Sequence, residues 1–160
     1  MLTVTLMVVG KIKEKYFTDA VSEYSKRLSR YCKLNIIEVK DEPTPDNPSE
    51  KEKSAILDKE GARIADRLPK SPYIISLCIE GRQQTSGEFA KFLEKTAADG
   101  NSDIVFIIGG SLGICDKLKA MSDYKLSFSR MTFPHQLMQM ILLEQIYRSY
   151  RIMNHEPYHK

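Results

Sequence analysis

Asp103-Ile-Val-Phe-Ile-Ile-Gly109 is an unbroken apolar run that empties into a glycine turn, Gly109-Gly-Ser-Leu-Gly113. A run that is apolar at every position offers water no polar face, so it predicts a strand covered on both sides. Tyr73–Ile79 reads the same way, with Glu80-Gly81 ending it, and Leu2–Val9 and Leu34–Val39 are two further strands. Helical patterns separate them. Phe17, Ala20, Val21, Tyr24 and Leu28 fall at helical spacing within Tyr16–Arg30. Ser49-x-x-Glu52 and Thr85-x-x-Glu88 are capping boxes, predicting helices that run to about Leu68 and to Gly100. Strands alternating with helices predict an α/β fold, a mostly parallel sheet with helices on both faces.

The remaining segments fit the same scheme. Asp41–Pro48 carries three prolines, which remove donors and restrict their neighbours, so a mobile surface loop is expected. A short helix near Asp116–Met121, a strand at Lys125–Phe128 and a last helix with Pro134 as its first residue complete the order. No repeat or second domain interrupts residues 1–160, a length that buries about two thirds of the unfolded surface. An apolar share of 42% and a charged share of 28% are those of a soluble globular protein. The first strand lacks the basic leader and small-residue cleavage site of an export signal, and Cys32, Cys78 and Cys115 show no metal or redox spacing. Reduced thiols and a cytoplasmic location are expected, with no membrane partner.

In parallel sheets ligands bind beyond the carboxyl ends of strands, at a switch in strand order. Leu77–Gly81, Gly109–Gly113 and Phe128–Phe133 are the strand ends at issue. Gly109, Gly110 and Gly113 allow a sharp turn and close approach of main chain to a ligand, with Gly110 expected at positive φ. The same residues also suit an ordinary strand-to-helix turn. Their order, G-G-x-x-G, matches neither a dinucleotide loop nor a phosphate loop. His135 stands at the start of the last helix, where the helix dipole disfavours the imidazolium. It is a candidate proton acceptor or a packing residue. The last helix is apolar on more than one face, and Ile141, Leu142 and Ile146 cannot all face one sheet, so a symmetric dimer is expected. Glu144 and Arg148, four apart, read as a surface ion pair or as a polar pair at that interface. The net charge is only +3, but Lys11, Lys13, Lys15, Lys26, Arg27, Arg30 and Lys33 make the first forty residues basic. Such a run is a solvated face or an RNA-binding one.

Three segments occurring in this order carry more than any one alone: Ile-Gly-Gly-Ser-Leu-Gly113, Leu-Ser-Phe-Ser-Arg-Met-Thr-Phe-Pro-His135 and Glu-Pro-Tyr-His159. With Val-Val-Gly10-Lys-Ile-Lys at the other end, the whole chain resembles the bacterial large-subunit rRNA methyltransferase H family of SPOUT methyltransferases. The resemblance implies a deep C-terminal trefoil knot and a homodimer. It implies S-adenosylmethionine as methyl donor, without a metal, and N3 of a pseudouridine in 23S rRNA as acceptor, on the assembled ribosome. The matching cofactor positions are Leu77, Gly109, Gly110 and Gly113, with Phe128, Ser129, Arg130, Met131, Thr132 and Phe133. His135, Tyr158 and His159 become the candidate catalytic residues. Arg148 and Lys160 are expected on the substrate side, with the tail of one subunit near the cofactor of the other. The competing class is a non-catalytic ribosome-binding or assembly factor, which has no need of a cofactor pocket.

Overall fold

The structure is a computed structural model that describes residues 1–160. Its elements alternate throughout: β1 (Thr3–Val9), α1 (Lys15–Leu28), β2 (Lys33–Val39), α2 (Glu50–Ala65), β3 (Tyr73–Gln83), α3 (Ser86–Ala98), β4 (Asp103–Ile108), α4 (Asp116–Met121), β5 (Tyr124–Ser127) and α5 (His135–Met153). The five strands form one sheet in the order β2-β1-β4-β3-β5, and every pairing is parallel. Both expected capping boxes are present, at Ser49 with Glu52 and at Thr85 with Glu88. No helix is long and apolar enough to cross a membrane.

The period of two along each strand divides the core. Val4, Leu6 and Val8 of β1 and Ile104, Phe106 and Ile108 of β4 pack on one face, with Leu28, Phe89, Leu93, Leu142, Leu143 and Ile146 from helices. Met7, Val9, Val105 and Ile107 point the other way, onto Ile64, Cys115 and Leu118. So α1, α3 and α5 cover one face and α2 and α4 the other. The strand order explains the split. Crossovers β1→β2 and β3→β4 move one way across the sheet, while β2→β3 and β4→β5 move the other. Connections of a single hand that travel in opposite directions must lie on opposite faces.

Three expectations are revised. The prolines leave 41–48 without helix or strand, yet this loop is tied down: Arg63 pairs with Glu42, the Glu42 N–H donates to buried Glu60 at 3.0 Å, and Thr44 Oγ1 lies 3.4 Å from Ser111 Oγ. Pro134 is the N-cap of α5, and His135 is its first helical residue. Finally, β3 does not end at Glu80-Gly81. It pairs with β5 through Leu77↔Leu126, loses register, and pairs again through Arg82↔Leu126. The intervening residues bulge out of the ladder, and Ile79 is 47% exposed, so the strand is not covered on both faces along its length.

Gly81 is where the bulge returns. A Cβ there would stand 2.7 Å from the Leu126 carbonyl carbon and 2.9 Å from its nitrogen, atoms of backbone that cannot swing aside. Gly81→Ala is therefore expected to cost about 1–3 kcal/mol, read as a lowered urea midpoint. An unchanged midpoint would show that β3 and β5 separate freely.

Candidate active site

All five strands point their carboxyl ends to one edge, and there a cleft of about 360 Å³ opens between three loops. The β3 bulge supplies Leu77, Cys78, Ile79 and Glu80. The turn after β4 supplies Gly109 to Ile114, and the segment after β5 supplies Phe128, Ser129, Met131, Thr132 and Phe133, with His135 and Met138 beyond. The position agrees with the rule for strand-order switches: β4 is followed in sequence by β5, which lies on the far side of β3.

The glycine turn is shaped by close backbone approach. A methyl on Gly109 would overlap the Gly113 carbonyl oxygen, so only glycine fits. Gly110 and Gly113 form an isolated bridge, with the Gly113 N–H donating to the Gly110 carbonyl at 3.1 Å. The positive φ belongs to Gly113, at +91°, and not to Gly110 as expected. At Gly110 a side chain would instead press from behind, 3.1 Å from Val9 Cγ1 and 3.5 Å from the Glu60 carboxylate. That carboxylate is buried, and desolvation raises its pKa although the Glu42 N–H opposes the rise.

Opposite the glycines, the 128–133 segment is set by its serines. Ser127 Oγ donates to the Ser129 carbonyl at 3.0 Å, and Ser129 Oγ accepts from the Met131 N–H at 2.9 Å. Phe128 meets Phe89 edge-on, which ties the segment to α3. The cleft thus combines apolar walls (Leu77, Ile114, Leu126, Phe133, Met138) with main chain exposed at glycines and at a serine turn. Such a mixture suits a ligand with a flat heteroaromatic part and polar edges.

Of the expected cofactor residues, all but Arg130 line this cleft; Arg130 is exposed between two that do. Sequence reasoning marked the strand end Leu77–Gly81, which contains Cys78 and Glu80, but missed Lys119. Glu80 and Lys119 form an ion pair of 2.6 Å at the rim, and the ammonium holds the Glu80 carboxyl below its usual range. No spacing rule links residues 39 apart on a bulge and a helix.

His135 also lines the cleft, its ring against Gly10, where an added Cβ would come within 3.1 Å. Burial lowers its pKa below 6.5, partly offset by Asp41 and Glu14. The imidazole is therefore neutral near pH 7 and able to take a proton.

The other candidates gather elsewhere. Tyr158 is half-buried on α5: its ring meets Tyr147 at 5.0 Å between centroids, and its hydroxyl donates to Glu144 at 3.2 Å. Arg148 lies over the same ring, pairs with Glu144 at 2.7 Å and reaches His159 Nδ1 at 3.2 Å. Tyr31 donates to Glu156, and Arg151 donates to the Pro157 carbonyl. The tail is fastened to its own helix. Arg148, Tyr158, His159 and Lys160 do not line the cleft of their own chain. Leu142 and Ile146 join Leu143 in the core and Ile141 stays half-buried, beside half-buried Leu137 and Met140.

A family profile described as "Predicted SPOUT methyltransferase" matches residues 2–159. Relatives from Clostridium tetani and Clostridium beijerinckii, both named ribosomal RNA large subunit methyltransferase H, are 56% and 54% identical over 159 residues. One from Methanococcus maripaludis, 59% identical, carries the same name in provisional form; each alignment spans 99% of this chain and all of the relative. The chain belongs to the SPOUT methyltransferases, in the methyltransferase H group. Its fold also matches a solved structure described as a probable methylase family protein from Haemophilus influenzae Rd KW20, with a TM-score of 0.52 and 10% identity, covering 99% of this chain and 70% of that one.

For this SPOUT methyltransferase, the site predicts a pH dependence that centres on His135. With its folded pKa below the unfolded value, the unfolded state binds more protons as pH falls through 6.5. Stability contributed by the neutral ring is then lost until the folded pKa is passed. An NMR titration should place the His135 midpoint below 6.5, and His135→Asn should flatten the stability curve in that window. A midpoint at or above 6.5 would contradict the burial argument.

Proposed function

We propose that this SPOUT methyltransferase is a homodimer that uses S-adenosylmethionine to methylate N3 of a pseudouridine in 23S rRNA, on the assembled ribosome in the cytoplasm. One observation carries the reading. A glycine-floored cleft that fits the donor lies in a chain more than half identical, over its full length, to proteins named for large-subunit rRNA methylation. The trefoil knot implied by the family belongs to the same proposal. It is supported by β5 lying across β3 from β4, so that the chain recrosses β3 before the 128–134 loop.

The residues present fit the donor. Gly109 packs so tightly on the Gly113 carbonyl that the turn can present only main chain, which with main chain of 128–133 would read an adenine edge. Leu77 and Phe133 supply apolar walls. When bound, S-adenosylmethionine supplies a methyl group on a sulfonium that departs neutral, so no general acid is needed. The protein's part is to align acceptor and methyl carbon and to exclude water. An imide N–H is weakly acidic, and a neutral, half-buried His135 at the cleft wall is placed to hold its proton.

The tail enters through the dimer. Leu137, Met140 and Ile141 leave an apolar stripe on α5 next to the Glu144–Arg148 pair. A second copy covering that stripe would bring Arg148, Tyr158, His159 and Lys160 toward its own cleft. Tyr158 would stack on a splayed base, and Arg148 and Lys160 would meet phosphate.

Calorimetry tests the donor site: Gly109→Ala should weaken S-adenosylmethionine binding tenfold or more, about 1.4 kcal/mol, with the circular dichroism spectrum kept. Unmutated protein that binds no S-adenosylmethionine would leave only a ribosome-binding role. Methylation of ribosomes against free rRNA, with the nucleotide mapped by mass spectrometry, decides the acceptor.

Because Tyr158 packs on Tyr147, the trans role of the tail is better tested at the exposed positions His159 and Lys160 than by deletion. His159→Ala/Lys160→Ala and Gly109→Ala homodimers should each be nearly inactive. Mixed heterodimers should recover up to about half of the activity, since one site then has an intact pocket and an intact partner tail. No recovery on proven heterodimers would place tail and pocket in one subunit.

A further inference from the structure

The turn between β1 and α1 carries charges that the donor cleft does not use. Gly10, at φ +92°, turns the chain at the end of β1, and its N–H donates to the Val39 carbonyl at 2.9 Å. Its α-carbon lies so close to the His135 ring that a Cβ would fall 3.1 Å from Cε1. Since His135 lines the cleft, this turn abuts one cleft wall. The residues that follow on the turn include Lys11 and Lys13, both exposed. Arg130 is also exposed, between Ser129 and Met131, which line the cleft.

None of these three cations is neutralised. No ion pair in the chain uses Lys11, Lys13 or Arg130. Lys119, which lines the cleft, is by contrast paired with Glu80. The acids closest to the turn, Glu14 and Asp41, act on His135, and Glu14 Oε2 is buried. The neighbourhood of the opening is thus left with exposed, unpaired positive charge beside polar main chain.

We propose that Lys11 and Lys13, with Arg130, form a phosphodiester-binding rim that grips the RNA backbone flanking the nucleotide entering the cleft. The inference rests on the rRNA reading above and assigns that substrate a docking surface. A base reaches a buried donor only when it is unstacked and splayed out, while its own and flanking phosphates stay at the lip. Phosphate contacts of this kind hold register without reading sequence. Lysine suits the task, because a point charge on a flexible stem tolerates the irregular backbone of a loop. The rim also differs in role from the tail: it lies on the chain that holds the donor and needs no partner copy to reach the opening.

The test is binding of the full protein to ribosomes purified from a strain lacking the modification, followed by sedimentation over a range of salt. Lys11→Glu/Lys13→Glu should lose tenfold or more in ribosome affinity. Its log–log salt slope should be shallower by about 1.4, two phosphate contacts at about 0.7 each for single-stranded RNA. The affinity for S-adenosylmethionine and the circular dichroism spectrum should stay as in the unsubstituted protein. Lys11→Ala/Lys13→Ala should show a smaller loss of the same sign, and Lys70→Glu, exposed at the opposite edge of the sheet just before β3, should show none. Unchanged affinity and slope in the double reversal would overturn the rim. So would a parallel loss of S-adenosylmethionine binding, which would make the turn a structural wall. Failure of the unsubstituted protein to bind ribosomes at all would overturn the rRNA reading itself, and the rim with it.

Discussion

The pairing of β5 with the far side of β3 is the constraint on which the active-site edge depends. Had β5 joined β4, its nearest predecessor, the chain would have closed a simple series of crossovers. Instead it passes over β3 and docks where the β3 ladder breaks register, with Leu126 paired to both Leu77 and Arg82. The contact leaves no room for a side chain at Gly81. It throws Cys78 to Glu80 out of the sheet and brings the 128–133 loop opposite the Gly109–Gly113 turn. Three loops from three separate strands therefore meet around one volume, and the cleft exists only because the strands are out of sequence order.

Charge is arranged differently on the two sides of this edge. At the α1–α5 side two clusters, Arg148 with Glu144 and Tyr158 and Arg151 with Glu156 and Tyr31, hold the tail in place. Such partly buried, charge-assisted contacts order a segment that would otherwise fray. At the cleft side one ion pair, Glu80 with Lys119, stands at the rim, and two further ionisable groups are desolvated. Glu60 is buried with one oxygen unpartnered, and His135 is desolvated. The tail is thus fastened to its own helix, apart from the cleft.

Most elements were legible because their signals are local. The capping boxes at Ser49 and Thr85, the apolar runs of β1 and β4 and the helical spacing in α1 each need only neighbouring residues. The motif residues of the cleft were legible for a similar reason: Gly109, Gly113 and the 128–133 segment have backbone demands that few residue types meet. What escaped was whatever depends on contacts across the fold. The β3 bulge follows from where β5 docks, the Glu80–Lys119 pair joins a bulge to a helix, and the anchoring of 41–48 relies on Arg63 and Glu60 of α2.

By itself the sequence determined the element order, the parallel α/β architecture, the two capped helices and the family, since apolar periodicity and turn chemistry are properties of short windows. Tertiary structure decided three further things. It placed the left-handed residue of the glycine turn at Gly113, it separated the tail from the cleft, and it set Gly10, at the head of the turn that carries Lys11 and Lys13, against the His135 ring. These outcomes turn on which strand ends share an edge and how closely two backbones approach. A linear pattern carries no record of either, because pairing order in a parallel sheet is chosen by packing across crossovers many residues long.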